Sequence, residues 1–207
     1  MSSILNKIFK KKEDKKLTID NIRKGLVEAN DVLRDIGVRV WLTDGTLLGY
    51  FRENDIIAHD FDADLGCLIE DFSEEIISAF QKNGWELAYV WGEKKQGLEL
   101  TFRKDQVKVD IFFFYKDEDG RLWHGAWRKH DKKSLNLIKY YYDPFELKEV
   151  DFLGSRFFIP KDTLKYVTTK YGKGWKTPQK EWNWTFGPAN AVETDIVIKR
   201  NKKKRII

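Results

Sequence analysis

DGTLLG at residues 44–49 and HDFDADLG at residues 59–66 decide the fold of this 207-residue chain. The residues just before the first stretch, 38–43, are rich in β-branched and aromatic side chains and predict a strand. Residues 46–52 predict a short helix, so Gly45 lies at a strand-to-helix junction. Backbone N–H groups at such a junction can approach a phosphate at the positive end of the helix. Phosphate binding is therefore the first expectation.

Three carboxylates follow at alternating positions, Asp60, Asp62 and Asp64. In an extended strand they would face one way, with about 7 Å between neighbouring Cα atoms. Carboxylates that share a face repel each other unless a cation neutralises them, and hard oxygen ligands suit Mg2+ or Mn2+. An isolated Asp-x-Asp is ordinarily a solvated turn, but its position after the glycine junction favours a metal site. We expect Asp62 and Asp64 to hold two ions, with Asp60 beside them as a further possible ligand.

A third ligand is expected from a second strand. Residues 107–114 form an apolar run in which Asp110 is the one acid. A buried acid is costly without a partner, so Asp110 is predicted to be a metal ligand or the general base that takes the proton of an attacking hydroxyl. The alternative is an exposed residue near a strand end. Thr46 adds a hydroxyl donor for a phosphate, and Arg52 adds a bidentate clamp.

These motifs resemble the LicD and fukutin-related family, within the nucleotidyltransferase superfamily that includes DNA polymerase β. The resemblance rests on residues 45–49, Arg52 and residues 57–65, and on a second pattern at 158–178 that contains Tyr171-Gly172 and Trp175. It implies a phosphotransferase that moves a phospho-alcohol, such as phosphocholine, ribitol phosphate or glycerol phosphate, from a CDP-activated donor. The acceptor would be a hydroxyl of a glycan or a lipid-linked glycan, and CMP would be released.

Position by position, the resemblance makes Asp62 and Asp64 the metal pair and Gly45 and Thr46 the phosphate-gripping turn, and it matches Asp110 by location only. Members of the family commonly carry a small turn residue and Trp before the first aspartate, where this chain has Ala58 and His59. His59 is therefore a candidate contact for a phosphate or the acceptor hydroxyl. The alternative is a polar side chain on the face opposite Asp60. Some members hold a Cys-rich zinc site, but this chain has one cysteine, so no structural zinc is expected.

Two other functions stay open from the sequence. A nucleotidyltransferase of the same superfamily would attack the α-phosphate of an NTP and release pyrophosphate, with the same metal chemistry. A protein without catalysis would instead serve as a membrane-surface or glycan-binding module.

The order of predicted elements favours an α+β fold, a mixed sheet with helices mainly on one face, of the nucleotidyltransferase type that the resemblance implies. A helix over residues 18–37 is predicted from its apolar stripe, a Thr at its start and a Gly at its end. We predict three parts: a basic, amphipathic tail over 1–16, one domain over 17–190, and a C-terminal segment with a basic tail over 191–207.

The net charge of +5 is concentrated in the tails. Residues 1–16 carry +4 and residues 199–205 carry +6, which leaves −5 for the remainder. This distribution argues against nucleic acid as a partner, because a nucleic-acid site needs basic residues spread over a folded face. The tails instead predict contact with an anionic membrane surface, with solvated tails as the alternative.

A cytoplasmic location is expected, either free or peripheral on the inner face of the membrane. The single cysteine fits a reducing compartment, and the apolar residues near the N-terminus are too few for a signal peptide. Trp175, Trp182, Trp184 and Phe186 lie close together in the sequence. They are predicted to cover the core, with stacking on a base or a cage for a quaternary ammonium as alternatives.

Overall fold

The computed structural model describes residues 2–179, 182–183, 185 and 187–199, with side chains from residue 19 onward. These residues form a mixed sheet of ten strands and four α-helices, which confirms the predicted α+β class. The helices are α1 Ser2–Asp35, α2 Asp44–Glu53, α3 Glu74–Lys82 and α4 Thr163–Tyr171. The strands are β1 Val40–Leu42, β2 Ala63–Leu68, β3 Glu86–Glu93, β4 Gln96–Lys104, β5 Val107–Lys116, β6 Leu122–Lys129, β7 Ser134–Tyr142, β8 Leu147–Phe152, β9 Ser155–Pro160 and β10 Ala191–Lys199.

The strand β5 is the centre of the sheet. Strand β2 runs parallel to it on one side, and β4 and β6 pair with it antiparallel. Strands β1, β9 and β8 continue the sheet beyond β2, while β7 and β10 continue it beyond β6. The side chains of β5 alternate between two faces because successive residues of a strand point in opposite directions. Both faces are buried over most of the strand, which explains the continuous apolar run seen in the sequence.

Helix α1 packs on the first of these faces. Its buried side chains recur at helical spacing, and Gly25 lies so close to β5 that a Cβ there would be 2.6 Å from Val107 Cγ1. Phe72, just before α3, meets Phe113 of β5 edge-on at 5.3 Å, so α3 covers the same face. The opposite face of β5 carries Asp110, and it is the face on which the candidate site is built.

Helix α1 begins at Ser2, sixteen residues before the start predicted at Thr18. Residues 2–24 contain neither Pro nor Gly and are rich in Lys, which favours continuation of the helix. The helix ends as predicted: Gly37 has a φ of 74°, and Val38 N–H donates to Leu33 O at 2.9 Å. None of the described helices combines the length and the apolar character that a membrane-crossing helix needs.

Two strands were not predicted from the sequence, β7 and β10, which pair antiparallel with each other. The sequence analysis places residues 191–199 in a separate C-terminal segment, whereas the structure puts them on the edge of the sheet. Residues 200–205, the greater part of the predicted basic tail, lie outside the described residues.

Candidate active site

Asp64 and Asp110 are brought together by the parallel pairing of β2 with β5. They are register partners in that ladder, so their side chains share a face of the sheet. Only 8% of Asp64 and 3% of Asp110 are exposed to solvent. The predicted strand around Asp110 and the predicted convergence of these two acids are therefore present in the structure.

Asp60 and Asp62 reach the same place by a route different from the predicted one. Strand β2 begins at Ala63, so only Asp64 of the three alternating acids lies in a strand. Asp60 closes a turn instead: its N–H donates to Ile57 O at 2.9 Å, and its Oδ1 accepts from Phe61 N at 3.1 Å. Aspartate side chains commonly form such local bonds in preference to extended structure. The prediction that all three share one strand is thus wrong.

The carboxylates nevertheless converge. One oxygen each from Asp62, Asp64 and Asp110 lies within 4.8 Å of the others. Asp60 lines the same cavity, which has a volume of about 610 Å3. This set matches the three residues predicted as metal ligands.

The start of helix α2 holds Asp64 in place. The N–H of Gly45 donates to Asp64 Oδ2 at 3.0 Å, and the N–H of Asp64 donates to Thr46 Oγ1 at 2.8 Å. Thr46 is buried, with 2% of its surface exposed. A Cβ on Gly45 would lie 2.5 Å from Asp60 Oδ2 and 3.3 Å from Asp64 Oδ2. Both residues therefore position carboxylates here, and the phosphate contact predicted for them stays a prediction.

Lys108 lies in the middle of the acidic cluster. Its Nζ is 2.7 Å from Asp62 Oδ2 and 2.8 Å from Asp110 Oδ2. Burial by itself would lower the pKa of this ammonium, but the two carboxylates, Asp110 foremost, raise it above its usual value. Lys108 is therefore a permanent positive charge in the site.

The carboxyl groups themselves hold protons more tightly than usual. Burial first, and then the neighbouring acids, raise the pKa of Asp64 well above its ordinary value, and burial with the nearby Asp62 raises that of Asp60 to about 8. Burial also raises the pKa of Asp110, because it outweighs the opposing effect of Lys108. The cluster thus carries more negative charge than its surroundings stabilise.

A divalent cation fits this arrangement. Oδ1 of Asp110 is buried and accepts no hydrogen bond from any of the described residues. Such an orphaned oxygen is costly unless something binds it. The donor set consists of carboxylate oxygens, the ligands preferred by Mg2+ and Mn2+.

Asp44, His124 and Lys170 form a second charged group that the sequence analysis missed. Lys170 Nζ makes an ion pair with Asp44 Oδ1, and His124 Nε2 lies 3.6 Å from the same oxygen, slightly beyond a hydrogen bond. Burial alone would raise the pKa of Asp44, but the charge of Lys170, supported by His124, holds it below its usual value. All three side chains line the large cavity.

The position of Asp44 directly before Gly45 is the one sequence feature that could have marked it as a site residue. In the structure its φ of 44° is unusual for a residue other than glycine. Positive φ values cost of order 1 to 3 kcal/mol and concentrate at functional sites. Lys170 and His124 carry no comparable signal, because they come from α4 and β6 and meet Asp44 only in the folded chain.

A smaller cavity of about 190 Å3 adjoins the large one, and both are lined by Gly45 and Asp60. The predicted phosphate contacts Arg52 and His59 line this smaller cavity and not the larger one. Arg52 donates from Nη1 to Trp175 O at 3.3 Å and pairs with Glu53. The roles predicted for Arg52 and His59 stay predictions.

Two of the four clustered aromatics, Trp175 and Trp182, line the smaller cavity as well. Trp175 packs against Phe51 at a ring distance of 5.0 Å, and Trp182 packs against Tyr171 at 5.2 Å. Trp184 and Phe186 lie outside the described residues.

Comparisons with known proteins identify similar sequences. The sequence model of the family described as "LicD/FKTN/FKRP, nucleotidyltransferase domain" matches residues 37–162. The chain is 40% identical over 169 residues to the ribitol-5-phosphate transferase FKTN of Macaca fascicularis, an alignment that covers 81% of this chain and 36% of that protein. It is 28% identical over 153 residues to the ribitol 5-phosphate transferase FKRP of Mus musculus, covering 69% of this chain and 29% of that protein. The chain thus spans about a third of the length of these curated relatives.

Proposed function

The chain belongs to the LicD/FKTN/FKRP family of nucleotidyltransferase domains, and from this premise we propose that it is a metal-dependent phosphotransferase. It would move a phospho-alcohol from a CDP-activated donor to a hydroxyl of a glycan or a lipid-linked glycan and release CMP. The names of the relatives favour ribitol phosphate as the group transferred. Phosphocholine and glycerol phosphate are the other transferred groups to be compared, with CDP-choline and CDP-glycerol as their donors.

The observation that carries this proposal is the convergence of Asp62, Asp64 and Asp110 beside the start of α2. These three residues, with Asp60 next to them, would hold Mg2+ or Mn2+. Bound there, a divalent ion would supply positive charge to the reacting phosphate and orient the entering and leaving oxygens. The fold contributes the rigid part of the site, because Asp64 and Asp110 are fixed by β2 and β5.

The transfer is an in-line displacement at the phosphorus that carries the alcohol. A bond forms between the acceptor oxygen and that phosphorus, and the bond from the phosphorus to the oxygen of CMP breaks. Two roles are proposed for Asp110, as in the sequence analysis: its Oδ1, which accepts no hydrogen bond from the described residues, would bind the ion, or it would take the proton of the attacking hydroxyl as general base while Asp62 and Asp64 hold the ion.

The phosphate groups would be bound by the residues predicted from the sequence. Arg52 is proposed to contact the donor phosphates from the smaller cavity. Gly45 and Thr46 are proposed to lie beside the phosphates while they hold Asp64, whose bound metal ion the phosphates would contact. His59 lies at the same cavity and would contact a phosphate or the acceptor hydroxyl.

The test is an incubation of the protein with CDP-ribitol, CDP-glycerol, CDP-choline and, separately, NTPs, each with Mg2+ or Mn2+. We expect CMP from a CDP-alcohol in the presence of the acceptor glycan, and no product when EDTA is added. Pyrophosphate from an NTP would contradict the proposal and favour the nucleotidyltransferase alternative. Binding of glycan without any turnover would favour the protein without catalysis. Asp64→Asn is the matched inactive control, because it keeps the size of the side chain and removes its charge.

We further propose that the protein works in the cytoplasm at an anionic membrane surface, held there by its basic termini. The charge of +4 on residues 1–16 and +6 on residues 199–205 supports this. Co-sedimentation with vesicles that contain anionic lipid tests it. Full-length protein should sediment and a form that lacks both tails should not, whereas equal sedimentation would reject the proposal.

A further inference from the structure

Lys108 lies between two of the carboxylates that are candidate metal ligands. Its ammonium nitrogen bridges Asp62 Oδ2 and Asp110 Oδ2 at 2.7 and 2.8 Å. These two residues are also two of the three candidate metal ligands. A positive charge supplied by the chain therefore already lies between them.

The contact is built into strand β5. Lys108 precedes Asp110 by two residues, so their side chains leave the strand on the same face. The side chain of Lys108 is 31% exposed, which leaves its ammonium open to the cavity that it lines. Lys108 is thus fixed beside the carboxylates and can still touch a ligand that enters.

The contact leaves room for one ion. Lys108 uses Oδ2 of Asp110, while Oδ1 of the same carboxylate is buried and has no hydrogen-bond partner among the described residues. The carboxylate of Asp64 lies within reach of the same point, because the ligand oxygens of the cluster are within 4.8 Å of one another. One divalent ion can therefore bind beside Lys108 without displacing it.

The charge of the cluster also favours a single divalent ion. Asp62, Asp64 and Asp110 carry three negative charges when ionised. One divalent ion and one ammonium group neutralise them, so the charge of these three ligands is balanced without a second ion.

We propose that the ammonium group of Lys108 takes the place of the second metal ion, so that the carboxylate cluster holds a single divalent cation. The proposal rests on the metal dependence of the proposed function and replaces the two ions expected from the sequence with one ion and one lysine. Lys108 would be a positioning residue for Asp62 and Asp110, and it would contact the donor phosphate from the side of the missing ion.

The experiment counts bound ions without any donor or acceptor. The full chain is freed of metal with EDTA, dialysed, and titrated with Mn2+ while free Mn2+ is followed by electron paramagnetic resonance. Lys108→Met removes the charge and keeps most of the side-chain length, and Lys108→Arg keeps the charge. Lys165→Met is the matched control, because Lys165 pairs with Asp143 on the surface, away from the cluster.

We expect one ion per chain for the wild type, for Lys108→Arg and for Lys165→Met, and two ions for Lys108→Met. Two ions in the wild type would overturn the proposal, and so would a single ion in Lys108→Met. If Lys108→Met does not fold, the wild-type count decides together with Lys108→Gln. Absence of any bound ion in the wild type would overturn the proposal and would also contradict the metal dependence of the proposed function, so the two failures are distinguishable.

Discussion

The ion pair between Lys170 and Asp44 gives the sharpest prediction about stability. The side chains are only 8% and 13% exposed, respectively, so Lys170→Met would leave Asp44 as a buried carboxylate without its main partner. Removal of one member of a buried pair typically costs 3 to 5 kcal/mol, because the remaining charge stays desolvated. For a chain of this size the melting temperature should fall by about 6 to 20 °C. Differential scanning calorimetry at pH 7 measures this change directly.

The double variant Asp44→Asn with Lys170→Met separates the contribution of the ion pair to stability from that of the packing of Lys170. It removes both charges together, so it should be more stable than Lys170→Met alone. The control is Lys165→Met, whose ion pair with Asp143 is exposed and should contribute less than about 1 kcal/mol. The reasoning is refuted if Lys170→Met loses no more stability than Lys165→Met.

The dependence on pH has a definite sign. Lys170 and His124 hold the pKa of Asp44 below its unfolded value, so their stabilisation is present above that unfolded value, about 3.9, and is lost as the pH falls through the folded pKa. Without Lys170, the largest effect that opposes burial is gone, and the pKa of Asp44 should rise. The variant should then gain stability on acidification, because protonation removes its buried charge. The difference in the free energy of unfolding between the wild type and Lys170→Met should be largest near pH 7 and should become smaller towards pH 4.

Three further predictions concern the carboxylate cluster. Asp62→Ala and Asp64→Ala should each lower metal-dependent release of CMP by at least about 100-fold, since each removes a ligand, while circular dichroism shows an intact fold. Gly45→Ala should impair turnover, because its Cβ would meet Asp60 Oδ2 at 2.5 Å and displace a carboxylate of the cluster. In EDTA the wild type should lose stability as the pH rises from about 4 to 8, because the folded pKa of Asp60 is about 8 and the ionised form is disfavoured by burial. Asp60→Asn should flatten that dependence in thermal melts, and an unchanged slope would contradict the assignment.

Much of the fold could be predicted because its signals are local. The apolar run over residues 107–114 identifies the central strand β5, and the stripe that contains Ile22 and Leu26 identifies the core face of α1. Strands β7 and β10 were missed, and β10, which lies at the edge of the sheet, pairs with a strand almost sixty residues earlier. Edge strands depend on such distant pairing more than on their own sequence.

The sequence indicated which acids belong to the candidate site, but it did not predict how the chain brings them together. The acids in residues 59–66 pointed to Asp62 and Asp64, which lie together in the cluster, although the strand parity used to group them was wrong. Convergence requires only that the chain enter β2 beside β5, and a turn at Asp60 meets that requirement as well as a strand would. Lys108 was visible in the sequence, but its bridge to Asp62 depends on that turn and so could not be inferred.

The charge of the large cavity gives a physical reason for coupling between the metal and the donor. Six carboxylate side chains line it against three from lysine or arginine, an excess of three negative charges when all are ionised. A diphosphate donor is itself an anion. The carboxylates that line the cavity would repel it, and this repulsion is stronger in a cleft of low dielectric constant than in open water. A divalent ion at Asp62, Asp64 and Asp110 removes most of this excess. Burial first, and repulsion from the neighbouring acids second, raise the pKa values of Asp60 and Asp64, so ionised carboxylates are costly here without a cation. The carboxylates that would attract a metal would therefore also repel the proposed anionic donor until a cation is bound.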